Sequence, residues 1–550
     1  MKLFFLFFLS LGSASLIVAE PVARQASDTA PAYDLVIYGG TSGGVTAAIQ
    51  AAKMNKSVLL INHATHIGGL TSSGLGKTDS GKKGVIGGLS REFYQRIGWY
   101  YKNGAIVEGM PSNQASQWKF EPKVAEAIYV DWLKEHDIPV VNARLDRREG
   151  KGVTLDGKRI MAITMENGQT YRARMFIDAT YVGDLLAAAG VSYIVGREGN
   201  DQYGETFNGV QRANTTNHVF THNAKRPHPP RPLPEEARVD PYVIKGDPSS
   251  GLLPGINPTI AEPDGHGDHR VQSYCYRMCL TDKVENMVPF AKPEGYDEAT
   301  YELLFRMFEA GEKRIPWLPG RMPNRKTDTN NRWAVSTNLI GASDEYPEAS
   351  YERRREIELA HEHWQRGLMW TLANHPRVPE HVRNEVSKWG YAKDEFVEND
   401  HWPHMIYIRV GRRMVSDYVM TEHNCRLARK APDSVGKGSY TMDSHNVQRY
   451  VTKHGYVQNE GNIEVKPRGP YPISYRSIVP KRGEAENLLV PWAVSASHIA
   501  FGSIRMEPVF MVLGQSAATA AAIAIDDEVS VQDVNDEKLR KRLLEDGQVL

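Results

Sequence analysis

Two histidines and two arginines in the last quarter of the chain are of the types that move protons and steady negative charge. His445 and His498 each lie in a run of small polar residues, Asp443-Ser444-His445-Asn446 and Ser495-Ala496-Ser497-His498, rather than on an apolar helix face. A histidine titrating near neutrality is an economical base. Asp443 and Asn446 stand beside His445 to orient it. The alternative for either ring is a structural hydrogen bond in a loop. Arg476 and Arg505 would stabilise an anion or hold a polar substrate, unless they serve only in salt bridges, for instance Arg505 with Glu507. By contrast His361, on the apolar face Ile357, Trp364, Leu368, Leu372 of a helix expected over 350–373, reads as a satisfied core residue.

These residues need a frame, and the frame begins at residues 34–62. Leu35 to Tyr38 is a short buried-strand run, followed at once by Gly39, Gly40, Thr41, Ser42, Gly43 and Gly44. Val45, Ala48, Ile49 and Ala52 then recur at helical spacing, and Val58 to Ile61 forms a second strand. This is a βαβ unit whose first turn would hold a pyrophosphate on the backbone N–H groups of a helix start. Aligned on the strand end, Gly39 and Gly44 are the first and third glycines of the dinucleotide fingerprint. Thr41 replaces the second glycine, and Asn62 replaces the acidic residue that contacts the ribose.

Further segments suit a ligand-wrapping backbone. His66-Ile67-Gly68-Gly69-Leu70-Thr71 follows the second strand, and Gly87-Gly88-Leu89-Ser90 comes later. A helix is expected over 121–134, with Pro122 in its first turn. Strands are expected over Ile138–Leu145, Ile160–Met165 and Met175–Thr180. The last ends in Asp178-Ala179-Thr180, and Gly183-Asp184 opens a helix of small residues. Residues 199–264, rich in Asn, His and Pro, read as loop. Val271–Thr281 and Tyr471–Ser477 read as strands, Asp297–Gly311 as helix, and Gly514 to Ala522, including Gln515 and Ser516, as a helix with almost no bulk.

Length and composition narrow the classes. At 550 residues, two intertwined domains are expected. Lys+Arg and Asp+Glu balance at 66 each, so no basic surface points to nucleic acid. Three cysteines without a C-x-x-C exclude a disulfide framework and a dithiol centre. No metal ligand set is assigned. Lys2 before the apolar runs Leu3–Leu9 and Ile17–Ala19 reads as a secretory signal, residues 1–19, with a flexible leader over 20–32; the competing reading is an uncleaved anchor. A secreted or periplasmic location follows, with no stable membrane span after cleavage.

Several motifs together resemble a known family. They are Tyr-Gly-Gly-Thr-Ser-Gly-Gly, Ile-Gly-Gly-Leu, Ile-Asp-Ala-Thr-Tyr-Val-Gly-Asp-Leu, Trp389–Phe396, Met442-Asp443-Ser444-His445-Asn446 and Gly502-Ser503-Ile504-Arg505-Met506-Glu507-Pro508. The chain resembles the secreted FAD-dependent oxidoreductases, flavoproteins of the glutathione-reductase type with two dinucleotide-binding domains, over roughly residues 33–525. The resemblance implies an α/β fold: a Rossmann-like FAD-binding domain with a central parallel sheet, made of residues 33–198 and 471–530, an inserted mixed α+β substrate or cap domain over 199–470, and a tail over 531–550. It implies FAD held by Gly39, Gly40, Thr41, Ser42, Gly43, Gly44, Asn62, Gly68, Gly69, Thr71, Asp178, Ala179, Thr180, Asp184, Gly514, Gln515 and Ser516. The expected reaction is hydride transfer from a polar small molecule, of carbohydrate kind, to flavin N5, with oxygen, a quinone or a redox protein as acceptor. The other readings are a lyase or hydrolase-like protein using the dinucleotide without redox change, and a non-catalytic binding protein.

Overall fold

The computed structural model describes residues 32–104, 109–220 and 233–550. The expected signal segment 1–19, the leader up to residue 31 and the whole Pro-rich run Arg226–Pro232 lie outside the described residues. β1 (Tyr33–Tyr38), α1 (Ser42–Lys53) and β2 (Val58–Asn62) form the expected βαβ unit, with β1 and β2 parallel. The sheet grows outward from β1. On one side lie β2 and β3 (Val140–Asn142); on the other β6 (Thr170–Asp178), β5 (Arg159–Thr164) and β4 (Val153–Asp156). The outer edge of β6 is shared. Its start pairs antiparallel with β5 through Arg172, and its end pairs parallel with β7 (Leu488–Leu489) through Phe176 and Ile177. The chain thus leaves this sheet and returns to it more than three hundred residues later.

Both faces are covered. α1 packs against α7 (Glu507–Asp527), and the contact works because both helices carry small residues there. A Cβ on Gly514 would lie 2.1 Å from the Gly43 carbonyl oxygen. Thr46 Oγ1 donates to Met511 O across the same contact at 2.9 Å. By length and composition α7 could cross a membrane, yet it is wholly buried in the core, where Ala517, Ala518, Ala520 and Ala521 have no exposed surface. Its apolarity is that of a central packing helix. α2 (Gly88–Asn103) and α3 (Pro122–Glu135, with Pro at its start) complete this layer.

Between the two visits to the sheet, the chain builds smaller antiparallel sheets. The largest runs Met287–Val288, Gly390–Ala392, Met278–Thr281, Lys326–Asn331, Trp317–Arg321. Only Met278–Thr281 of the expected Val271–Thr281 strand belongs to it; Cys275 makes an isolated bridge to Tyr407 instead. The expected 297–311 helix is a short 3-10 turn followed by Glu302–Glu309, and the 471–477 strand stops at Ser474 and turns. α5 (Tyr351–Asn374) begins at Ser350, whose hydroxyl accepts from Arg353 N–H at 3.2 Å as an N-cap. His361 on α5 is fully buried, its Nδ1 2.7 Å from Ile357 O.

Candidate active site

The turn after β1 is built for close approach. Gly39 has φ +121°, and a Cβ there would sit 2.6 Å from Ala179 backbone; a Cβ on Gly44 would sit 1.9 Å from Gly39 O. Thr41 caps α1 by accepting Gly44 N–H at 3.2 Å and ties the turn to β6 by donating to Ala179 O at 2.8 Å. A threonine here therefore pins the turn between two strands. Two hydroxyls, one from Ser42 at the helix start and one from Thr71 in the turn Gly69–Ser72, converge on one anion. Ser42 Oγ and Thr71 Oγ1 donate to the same carboxylate oxygen, Glu507 Oε2, at 2.6 and 2.7 Å, and Tyr181 OH donates to Oε1 at 3.0 Å. Glu507 is buried, and burial pushes its pKa up to about 7 against the three hydroxyls that pull it down.

These residues fit the diphosphate of a dinucleotide. A helix start leaves N–H groups without intrahelical partners and favours negative charge. Ser42 and Thr71 add two donors aimed at one anionic oxygen, and the chain's own carboxylate stands at that point. At the end of β2, His63 Nδ1 is buried with no partner. The other sequence-derived residues have different work. The Asn62 amide donates to Ala64 O and His66 O at 2.6 and 3.0 Å, holding the turn after β2 and pressing against Gly40. Asp178 accepts from Thr180 and from Leu186 N–H, and burial raises its pKa to about 6. Asp184 is paired with Arg354 at 2.7 Å and Arg412 at 3.0 Å; these cations outweigh burial and hold its carboxyl well below the usual range. Gly68 and Gly69, both at positive φ, pack on Tyr129 and Tyr181. Gln515 bonds Gln50 and Leu89 N–H, and Ser516 donates to Val435 O, so with Gly514 this trio serves helix packing.

The second half of the site lies two residues before Glu507. Arg505, at the end of α6 (His498–Ile504), donates to Asp443 Oδ2 at 3.0 Å and to Tyr407 OH at 2.9 Å; the expected Arg505–Glu507 pair does not form. α6 reaches the strand Met442–Ser444 closely because Gly502 has no Cβ, which would meet Asp443 O at 2.5 Å. His445 Nε2 lies 3.3 Å from Asp443 Oδ2. Both residues line a cavity of ≈ 370 Å³ together with Asp79, His218, Arg277, Tyr407, Tyr440 and Glu464.

The electrostatics divide sharply. Burial alone would raise the Asp443 pKa, but His445, Arg505 and Arg409 hold it well below the carboxylate range. Burial, followed by repulsion from Arg409, pushes His445 down to about 3, with Asp443 acting in the opposite sense. His445 is therefore neutral at ordinary pH. With Nε2–H toward Asp443, Nδ1 is its acceptor, and it is buried without a protein partner. Gln272 Nε2, Arg409 Nε, Asn446 Oδ1 and Arg505 Nε around it are also without partners. They are one neighbourhood: Gln272 Oε1 accepts His445 N–H at 3.2 Å, and Asn446 O accepts Ser273 N–H at 3.2 Å. Buried polar atoms in native folds are normally satisfied, so such a cluster marks a place for a polar ligand.

His498 sits behind this wall. Its Nε2 is 3.1 Å from Ser444 Oγ, and burial drives its pKa far down. Arg476 is elsewhere: its half-exposed side chain pairs with Asp433 at 3.1 Å in a separate surface cleft lined by Tyr475, Arg482 and Asp536. The grouping of Arg476 with His445 is thus corrected by the fold, because the strand bearing it ends at Ser474 and turns away. Missed at the sequence level were Glu507 as an anion in the glycine-turn seat, and Arg277 and Arg409 beside the cavity. Arg277 is bidentate to Asp328 at 2.6 and 2.9 Å, while Arg409 makes no carboxylate pair among the described residues.

The family model described as FAD dependent oxidoreductase matches residues 34–543. The chain belongs to this family. It is an FAD-dependent oxidoreductase, and the seat formed by Ser42 and Thr71 agrees with that cofactor. Among curated proteins, none matches this sequence. Similar solved structures include a flavin-containing monooxygenase from Stenotrophomonas maltophilia, 18% identical over 32% of this chain and 44% of that one, with TM-score 0.19. A thioredoxin reductase from Streptococcus pyogenes is 20% identical over 31% of this chain and 40% of that one, with TM-score 0.16. An L-proline dehydrogenase from P. horikoshii is 16% identical over 31% and 59%, with TM-score 0.23. The matched regions span less than two thirds of these proteins, and at such TM-scores the functional argument rests on the family and on this chain's geometry.

Proposed function

We propose that this oxidoreductase oxidises a hydroxyl group of a polar, carbohydrate-like small molecule held in the His445 cavity, and that it acts outside the cytosol with oxygen, a quinone or a redox protein as final acceptor. The observation that carries the substrate reading is the cluster of unpartnered buried polar atoms around His445, which suits a ligand with several hydroxyls. Bound FAD supplies the two-electron acceptor. Ser42 and Thr71 would hold its diphosphate in place of Glu507. His445 accepts the hydroxyl proton at Nδ1 as the carbon gives up its hydride and becomes a carbonyl carbon. Asp443 steadies the imidazolium through Nε2–H, and Arg505 keeps Asp443 ionised and in place. The imidazolium is disfavoured by burial and by Arg409. His498 and Arg476 remain outside this assignment: the first supports Ser444, the second a surface ion pair.

The test is anaerobic. The purified protein is scanned for flavin absorbance and mixed with sugars and polyols. Bleaching of bound flavin by one of them is expected. Flavin that no such compound bleaches would overturn the substrate reading and favour non-redox use of the cofactor.

A further inference from the structure

Two groups of side chains among the described residues have the spacing to hold a metal ion, and they differ in one respect. Glu121, Asp394 and Glu395 already enclose a cation: the fully buried Lys326 Nζ lies 2.6, 2.8 and 2.5 Å from them. The other group is His66, Glu126 and His404, and Glu398 joins it through contacts to both histidines, which makes a set of four. No lysine or arginine pairs with either of its carboxylates among the described residues, and its four members come from four segments: the loop after β2, α3, the 3-10 turn Val397–Asn399 and the loop beyond it.

We propose that this second group binds a divalent first-row transition ion, zinc by ligand type, through the Nε2 atoms of His66 and His404 and the carboxylate of Glu398. His66 Nε2 and His404 Nε2 lie 3.2 and 3.0 Å from the same oxygen, Glu398 Oε1. A tetrahedral ion with bonds of about 2.0–2.1 Å keeps its ligand atoms roughly 3.3 Å apart, and each Nε2 already stands near that spacing from Glu398 Oε1. Glu126 supplies the outer partner. Its Oε1 is 2.9 Å from His66 Nδ1 and also accepts Ile67 N–H at 3.2 Å. A carboxylate on Nδ1–H fixes the tautomer that leaves Nε2 with its lone pair, as is usual behind a metal-bound histidine.

The two imidazoles stack with centroids 3.4 Å apart and planes within 2°. Two imidazolium rings would repel in that arrangement, so at least one ring is neutral there. Parallel rings present their lone pairs side by side, and coordination requires one of them to turn about χ2. The set offers three ligands and leaves a fourth position for water or another ligand. The Glu398 side chain is 57% exposed, which gives an ion a route in. An ion here would clamp the 397–404 segment onto the loop that leads into Gly68 and Gly69.

The experiment uses the full-length protein, freed of metal with a chelator, and titrates in Zn2+ by calorimetry and Co2+ by visible absorption. One equivalent is expected, with the Co2+ ligand-field bands of a tetrahedral nitrogen–oxygen site. His404→Ala and Glu398→Ala should each weaken binding at least tenfold. Zn2+ should raise Tm in proportion to log concentration in the wild type and not in these variants. Glu398 is exposed, so its alanine variant tests the site without threatening the fold. No saturable uptake, or equal uptake by wild type and Glu398→Ala, overturns the proposal. The readout is independent of flavin.

Discussion

Glu507, buried, and Asp443, largely buried, are two carboxylates on either side of one short segment, and they are held in opposite ways. Glu507 is met only by hydroxyls, from Ser42, Thr71 and Tyr181, and its pKa rises to about 7. Asp443 is met by the Arg505 cation, with Arg409 nearby and His445 on its other side, and its pKa falls. Neutral donors satisfy a carboxylate's geometry without repaying the desolvation of its charge; a paired cation does both. On the proposed function, the difference separates a seat whose carboxylate exchanges for the FAD diphosphate from an anchor that orients His445.

The largest break in this comparison should come from His445→Ala. Anaerobic flavin reduction by substrate should slow by about 10²–10⁴, while the visible spectrum of the bound flavin stays unchanged in the scan. Arg505→Met comes next. It would leave Asp443 as an uncompensated buried charge and should cost about 3–5 kcal/mol in urea unfolding, moving Asp443 toward the raised pKa that Glu507 shows; Arg505→Lys should recover part of this. Ser42→Ala with Thr71→Ala should weaken FAD binding by about tenfold or more, since a hydrogen bond to a charged group is worth about 1.5–3 kcal/mol; calorimetry on the apoprotein reads it. The smallest effect is expected from Arg476→Ala. A half-exposed ion pair is worth less than about 1 kcal/mol, and the bleaching rate should not change.

The sequence made one side of the comparison far more legible than the other. The run Leu35–Ile61 is local: strand, turn, helix and strand follow within thirty residues, and each is signalled by periodicity and glycine. The strand before Asp178, Pro122 at the start of α3 and the Ser350 cap were readable for the same reason. The His445 cavity was only half visible. Asp443 and His445 are neighbours in sequence, but Arg277, Arg409 and Arg505 reach them from separate segments, Arg409 and Arg505 from a few tens of residues away and Arg277 from more than a hundred, and no local pattern encodes which charge meets which. Closeness in sequence offers Glu507 as a salt-bridge partner of Arg505, the alternative to a site role for that arginine. The helix that begins at Glu507 turns its carboxylate toward α1 instead. Arg476 was grouped with the histidines on residue type alone, and a turn one residue earlier sends it to another face.

The exchangeable seat has a pH signature. With its folded pKa raised above the unfolded value, Glu507 stabilises the apoprotein fully at low pH, and that contribution is lost as pH rises from about 4.5 to about 7. When Glu507 leaves for water its ordinary pKa returns, so FAD binding should release a proton across this window and tighten as pH rises through it. The most direct measurement is therefore the FAD dissociation constant of the apoprotein from pH 5 to 8, for wild type and Glu507→Gln. The account predicts a wild-type affinity that climbs with pH and levels off above about 7, and a Glu507→Gln protein, its neutral amide standing for the protonated acid, whose profile is flat. The same pH slope in both proteins, or a wild-type affinity that does not change with pH, would contradict it.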